Sequence, residues 1–174
     1  YIHARNYKGF IYSNENRWND AINELEASLK INPDDIYALG HLGLAYKMAG
    51  RIEDAKKVLL KASELDPQMD NPESKNVHNY LGLLYKDEGR YEDALAEYRK
   101  TVEHFPDDIT AQNRIGEIYE AMAKYLDAFA SYKKTLKLDP DNSYAKQRLE
   151  ALQQAGVYYV EPVDIVKDDI SQMI

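Results

Sequence analysis

The sequence predicts an all-α chain folded as an α-solenoid of four helix-turn-helix repeats with a C-terminal capping helix, and three observations carry that prediction. One motif is written three times, as Leu42-Gly43-x-x-Tyr46, Leu81-Gly82-x-x-Tyr85 and Ile115-Gly116-x-x-Tyr119, with a weaker copy at Lys8-Gly9-x-x-Tyr12. The first two copies are 34 residues apart and so are the last two, whereas copies two and three are 39 apart, which marks an insertion of five. Each copy continues alike, with an alanine (Ala21, Ala55, Ala94, Ala128), a large apolar residue four further on (Leu25, Leu59, Tyr98, Tyr132) and a closing proline (Pro33, Pro67, Pro106, Pro140). A helical period of this size means stacked units that bury apolar faces against their neighbours.

Taken in order, paired helices are expected at about 2–14 and 18–31, 36–49 and 52–65, 72–88 and 91–104, and 109–122 and 125–138. The four motif glycines sit mid-helix, where Gly costs about 1 kcal/mol against Ala. That repeated cost predicts a close helix crossing, with Ala21, Ala55, Ala94 and Ala128 as the small partners. The acidic pairs Asp34-Asp35 and Asp107-Asp108, and Asp141-Asn142, follow the prolines and cap the next helix. The insert Asp70-Asn71-Pro72-Glu73-Ser74 reads as a helix extension, with Asn71 as cap and Pro72 in the first helical position. Eight tyrosines (12, 46, 85, 91, 98, 119, 125, 132) fall on packing positions and are assigned to the core.

Residues 142–155 give a ninth helix, apolar along Ala145, Leu149 and Leu152, polar opposite, and stopped by Gly156. A one-sided terminal helix closes the open end of a solenoid. The segment 157–174 breaks the pattern, with Val157-Tyr158-Tyr159-Val160 extended ahead of Pro162 and an apolar stripe of Ile165, Val166, Ile170, Met173 and Ile174 able to form a short helix. Three placements stay open for it: packing on the last helices, docking in a neighbouring molecule or partner, or disorder.

The recurring Leu-Gly…Tyr…Ala…large-apolar…Pro pattern resembles the tetratricopeptide repeat family over about residues 2–140. The resemblance implies a right-handed superhelix, repeats at about 2–35, 36–69, 75–108 and 109–142, and a capping helix over 141–156. The tryptophan that the family places near the start of the unit is Arg5, Leu39, His78 and Gln112 here.

With 22 basic and 30 acidic residues the net charge is −8, which argues against a nucleic-acid backbone as partner. No run of some 18 apolar residues exists to insert into a membrane. The absence of cysteine removes disulfides, a thiol nucleophile and cysteine-based zinc sites. It fits the cytoplasm, which is favoured, or the periplasm. Starting at Tyr1, the chain reads as a processed protein or an excised fragment. No histidine spacing matches a metal motif, the acidic pairs are explained as caps, and no glycine-rich phosphate loop is present. The reading is therefore of a non-enzymatic protein without cofactor or metal.

In this family the first helix of each pair lines the concave face, and the resemblance puts the partner there. Three positions before each motif Gly stand Asn6, Gly40, Asn79 and Asn113; two before it, Tyr7, His41, Tyr80 and Arg114; just after it, Phe10, Leu44, Leu83 and Glu117. Tyr37, Lys47, Asn76 and Lys86 flank these rows. An asparagine amide donates to a peptide C=O and accepts from its N–H, so a row of them could hold an extended peptide by its backbone. The resemblance implies that use, since related repeat proteins hold peptides in this way. Phe10, Leu44 and Leu83 would meet the apolar side chains of the peptide. Three hydrogen-bonding groups at about 0.5–1.5 kcal/mol and a few anchors at about 1.5–3 kcal/mol, less association costs, predict micromolar or weaker binding.

The clamp by which related co-chaperones hold a chaperone's C-terminal carboxylate is not reproduced. Matched from the first repeat its positions are Asn6, Phe10, His41, Asn76 and Tyr80, and from the second Gly40, Leu44, Tyr80, Thr110 and Arg114, where only Arg114 fits. The leading expectation is thus an adaptor that binds an extended protein segment. The alternatives are a self-assembling scaffold, a homo-oligomer joined through the first repeat and the tail, and a regulatory domain of a larger enzyme.

Overall fold

The computed structural model describes residues 1–157. Within them nine α-helices follow one another: α1 (Ile2–Asn14), α2 (Trp18–Leu29), α3 (Ile36–Met48), α4 (Ile52–Leu65), α5 (Ser74–Asp87), α6 (Tyr91–His104), α7 (Ile109–Ala121), α8 (Tyr125–Leu138) and α9 (Ser143–Gln154). Successive helices pair as hairpins, and the first helices α1, α3, α5 and α7 also pack on one another in turn. The second helices of adjacent hairpins make little contact. The stack therefore closes on the side of the first helices, which makes that side the inner wall of an all-α solenoid. The assignments on the apolar residues beyond Val157, including the extended segment, the short helix and self-assembly through them, lie outside the described residues.

Each hairpin turns through a left-handed residue after its first helix: Asn16 (φ 58°), Gly50 (φ 78°), Gly89 (φ 74°) and Ala123 (φ 57°). The turn is then clamped the same way three times. Arg17, Arg51 and Arg90 lie over the rings of Tyr12, Tyr46 and Tyr85 at 4.2–4.4 Å and pair with Asp20, Asp54 and Asp93. The caps fall where the sequence places them. Asp35, Asp108 and Asn142 accept from the amides of Ala38, Ala111 and Ala145 at 3.1, 2.7 and 2.9 Å.

Three expectations are corrected or refined. The side chain nearest each motif glycine is the large residue one turn beyond the alanine, not the alanine itself. A Cβ at Gly9, Gly82 or Gly116 would lie 2.6–2.7 Å from the side chain of Leu25, Tyr98 or Tyr132, and one at Gly43 would overlap Leu59. The large residue one turn beyond each alanine reaches across the hairpin into the glycine notch, because a side chain of that length spans the gap which a methyl group leaves open. The insert is a turn, not a helix extension. Asp66 accepts from the amides of Asp70 and Asn71 at 3.1 and 2.9 Å and from the Ser74 hydroxyl, and Asn71 accepts from the Glu73 amide. These bonds hold the backbone out of the helix until Ser74, two residues after the expected start. Tyr125 is 48% exposed. Tyr91, its equivalent, is partly buried against the cluster that Met122 also joins, whereas Tyr125 lines an open hollow with Gly156 and Val157.

The core runs as a series of clusters along the stack, with Tyr85 and Tyr119 each packing against two successive ones. The family's tryptophan position is put to another use. Arg5, His78 and Gln112 each reach a residue 19 further on, namely Glu24, Glu97 and Ser131, at 3.0, 2.6 and 3.4 Å, while Leu39 is buried. Polar latches thus replace one large ring in three hairpins.

Tyr98 is fully buried and its hydroxyl has no partner among the described residues. A buried polar group left unpaired costs about 1–3 kcal/mol. Tyr98→Phe keeps the ring in the Gly82 notch and deletes only that cost. We expect it to raise the melting temperature, measured by far-UV circular dichroism, where loss of a buried tyrosine hydroxyl ordinarily lowers it.

Candidate functional site

The inner wall carries the groove residues, and the structure sorts them into two ends. At the N-terminal end Tyr7 and Phe10 of α1 stack with ring centroids 6.5 Å apart, Phe10 meets His41 edge-on at 5.6 Å, and Tyr37 lies 4.3 Å from His41. Four of the expected residues thus form one aromatic run across α1 and α3. A hollow beside it is lined by His3, Asn6, Tyr7, Asp35, Tyr37 and Glu73. Tyr80 packs on the core behind, and Leu44 and Leu83 are half-buried. Burial lowers the pKa of His41, whose Nδ1 has no partner among the described residues, and raises that of the Tyr80 hydroxyl with help from Glu73.

The C-terminal end is charged and largely self-neutralised. Glu117 accepts from Lys86 at 2.6 Å, from Arg114 at 2.7 and 2.9 Å, and from the Tyr144 hydroxyl at 3.0 Å. Burial pushes the Glu117 pKa up, but the bonds from Lys86 and Arg114 outweigh it and hold the carboxyl below its ordinary range. Lys47 likewise pairs with Asp87 at 2.7 Å. The flanking lysines therefore serve the scaffold first. Thr110, Asn113, Arg114, Glu117 and Tyr144 line a second hollow there.

The asparagine row is on the inner helices, but its oxygens are not on offer. Asn6 is 6% and Asn79 9% exposed, and the Oδ1 atoms of both are buried without a partner among the described residues. Asn113 Oδ1 accepts from Thr135 Oγ1 at 2.9 Å. Asn6 Nδ2 donates to Asp35 at 2.9 Å, and Asn76 donates to Glu73 at 3.1 Å. The pairing of both halves of a peptide unit is thus corrected to donation alone. Among the described residues the amide nitrogens of Asn79 and Asn113 have no partner.

Sequence reasoning lets His3 share the groove with His41 but leaves Asp35, Glu73, Thr110 and Tyr144 out of it. A signal existed for two of them, since Thr110 and Tyr144 fall in one row with His3, Tyr37 and Asn76, six residues before the motif Gly or its continuation into α9. Asp35 and Glu73 were masked by their position at helix starts, where capping accounts for an acid. Among the described residues no group of three His, Asp or Glu side chains converges as a metal site, and no helix is long and apolar enough to cross a membrane.

Fold and inner wall together define a repeat solenoid of helical hairpins. Two tetratricopeptide repeat family models match the chain, over residues 14–79 and 79–143, and the chain belongs to that family. A comparison with curated proteins gives no match. Among solved structures, one of MamA is 22% identical with a TM-score of 0.71, covering 85% of this chain and 84% of that one. The Pseudomonas aeruginosa pilF structure is 19% identical with a TM-score of 0.80, covering 89% and 68%. A MamA structure designated AMB-1 is 24% identical with a TM-score of 0.66, covering 89% and 82%. At these identities the likeness is one of fold. Tetratricopeptide repeats act as adaptors or scaffolds in protein–protein interaction and are in general non-enzymatic modules.

Proposed function

We propose that the inner wall binds an extended segment of a partner protein. The observation that supports this reading is a set of groups which packing leaves unused on one face: the 64% exposed ring of Tyr7, the half-buried Leu44 and Leu83, and the amide nitrogens of Asn79 and Asn113. Apolar anchors beside fixed N–H donors are what a backbone-reading groove requires. The donors would meet the carbonyls of the segment, and the aromatic run would meet its side chains. With this modest set of contacts a biological role relies on several sites acting together.

The test is Asn79→Ala combined with Asn113→Ala. Losing two donors at about 0.5–1.5 kcal/mol each weakens capture by about fivefold to a hundredfold. Quantitative pull-down from the native source compares the variant with the wild type after both are shown to melt cooperatively. Undiminished recovery of the same partner by a folded variant would overturn the reading, and so would capture of nothing by the wild type.

A further inference from the structure

The hollow at the N-terminal end of the groove differs in charge from the rest of the wall. Asp35 gives its two oxygens to neutral donors, the Ala38 amide and the Asn6 side chain. Glu73 accepts from the Asn76 amide. Among the described residues neither carboxylate has a Lys or Arg partner, whereas the other charges named on the wall neutralise one another through Lys47–Asp87 and Lys86–Glu117–Arg114. Two negative charges are therefore left at one end. Their effect is felt by Tyr37, whose hydroxyl pKa is raised by burial and then by Glu73 and Asp35.

The carboxylates do not stand alone. Tyr7 and Tyr37 line the same hollow, and the Tyr7 ring stays 64% exposed beside its stack on Phe10. Aromatic faces beside uncompensated acids make a receptor for a cation that also donates hydrogen bonds.

We propose that this hollow takes a basic side chain of the bound segment, arginine in preference to lysine. The inference rests on the groove reading and names the residue chemistry it selects. A guanidinium lies flat on a tyrosine ring and presents its planar fork of donors to carboxylates, which an ammonium cannot do. The direction also agrees with the net charge of −8, which favours a basic partner.

The probe is N-acetyl-arginine amide, titrated into the isotope-labelled full chain and followed by backbone amide shifts. Saturable shifts centred on Asp35, Tyr37 and Glu73 are expected in the millimolar range. The double variant Asp35→Asn, Glu73→Gln should weaken them about tenfold. Asn is as good a helix cap as Asp, so α3 keeps its start. N-acetyl-citrulline amide, the neutral isostere, should give no saturable shift. Equal binding of the citrulline probe, an unchanged affinity in the double variant, or no saturable response to the arginine probe would overturn the inference. The probe spans a single residue and does not reach Asn79 or Asn113. Loss of partner capture and loss of arginine binding are therefore separate results, and each sinks its own claim.

Discussion

Leu59→Ala lowers the stability of the chain by about 2–5 kcal/mol, the range for a fully buried leucine truncated in a packed core. For a chain of this length that is a fall of about 2–4 °C in melting temperature per kcal/mol. The reason lies in the notch. Leu59 fills the space over Gly43 so closely that a Cβ there could not coexist with it. The partner substitution then changes sign with background. Alone, Gly43→Ala gains about 1 kcal/mol of helix propensity but overpacks the crossing by about 1–3 kcal/mol, a net loss. With Leu59 already cut to alanine, the new methyl group enters the vacated space, and Gly43→Ala becomes stabilising by about 1 kcal/mol. A double-mutant cycle in urea reads this coupling directly. If Gly43→Ala costs the same in both backgrounds, the lock between the two residues does not exist.

Glu120→Ala has the second large effect, about 3 kcal/mol, and it is localised. One carboxylate on α7 accepts from the Tyr132 hydroxyl of α8 at 2.7 Å and from two nitrogens of Arg148 on α9, one of them at 3.0 Å. Burial first, then the bond to Glu120, raises the Tyr132 pKa, so the hydroxyl keeps its proton and donates it. Removing the carboxylate strands a fully buried hydroxyl and frees the cation that pins the last helix. Hydrogen exchange should therefore rise across α9 while α3 and α4 stay protected, since a solenoid opens locally from its ends. Glu120→Gln keeps an acceptor for Tyr132 and should lose less. Uniform loss of protection along the whole stack would contradict the assignment of Glu120 as a joint between the last hairpin and its cap.

Much of the scaffold was legible because it repeats. Gly43, Tyr46, Ala55 and Leu59 recur in register, and one period of helical geometry puts them on facing sides of a hairpin. The caps were legible for a local reason, since Asp35, Asp108 and Asn142 bond an amide only three residues on. What the sequence misassigned depends on distances across the hairpin. Whether Ala55 or Leu59 fills the glycine notch is a matter of side-chain reach, and whether Tyr125 is covered depends on what the far end of α9 supplies. The insert went wrong because Asn71 and Pro72 suit both a helix start and a turn, and Asp66, several residues upstream, chooses between them.

The candidate site divides the same way. The family resemblance put the first helix of each pair on the inner wall, and the period of 34 then aligned the asparagines, the aromatics and the charged residues in rows along it. Spacing could not say which way an amide rotates, and Asn113 turns its oxygen to Thr135 because that hydroxyl is at hand. Nor could it balance charges between repeats, since Lys86 meets Glu117 31 residues away while Asp35 and Glu73 meet no cation on the described chain. The repeat, its helices and their caps are set by short-range rules that a linear chain already obeys. Which groups remain free to meet a partner is settled only when the hairpins stack, because pairing across a groove is a property of distance in space.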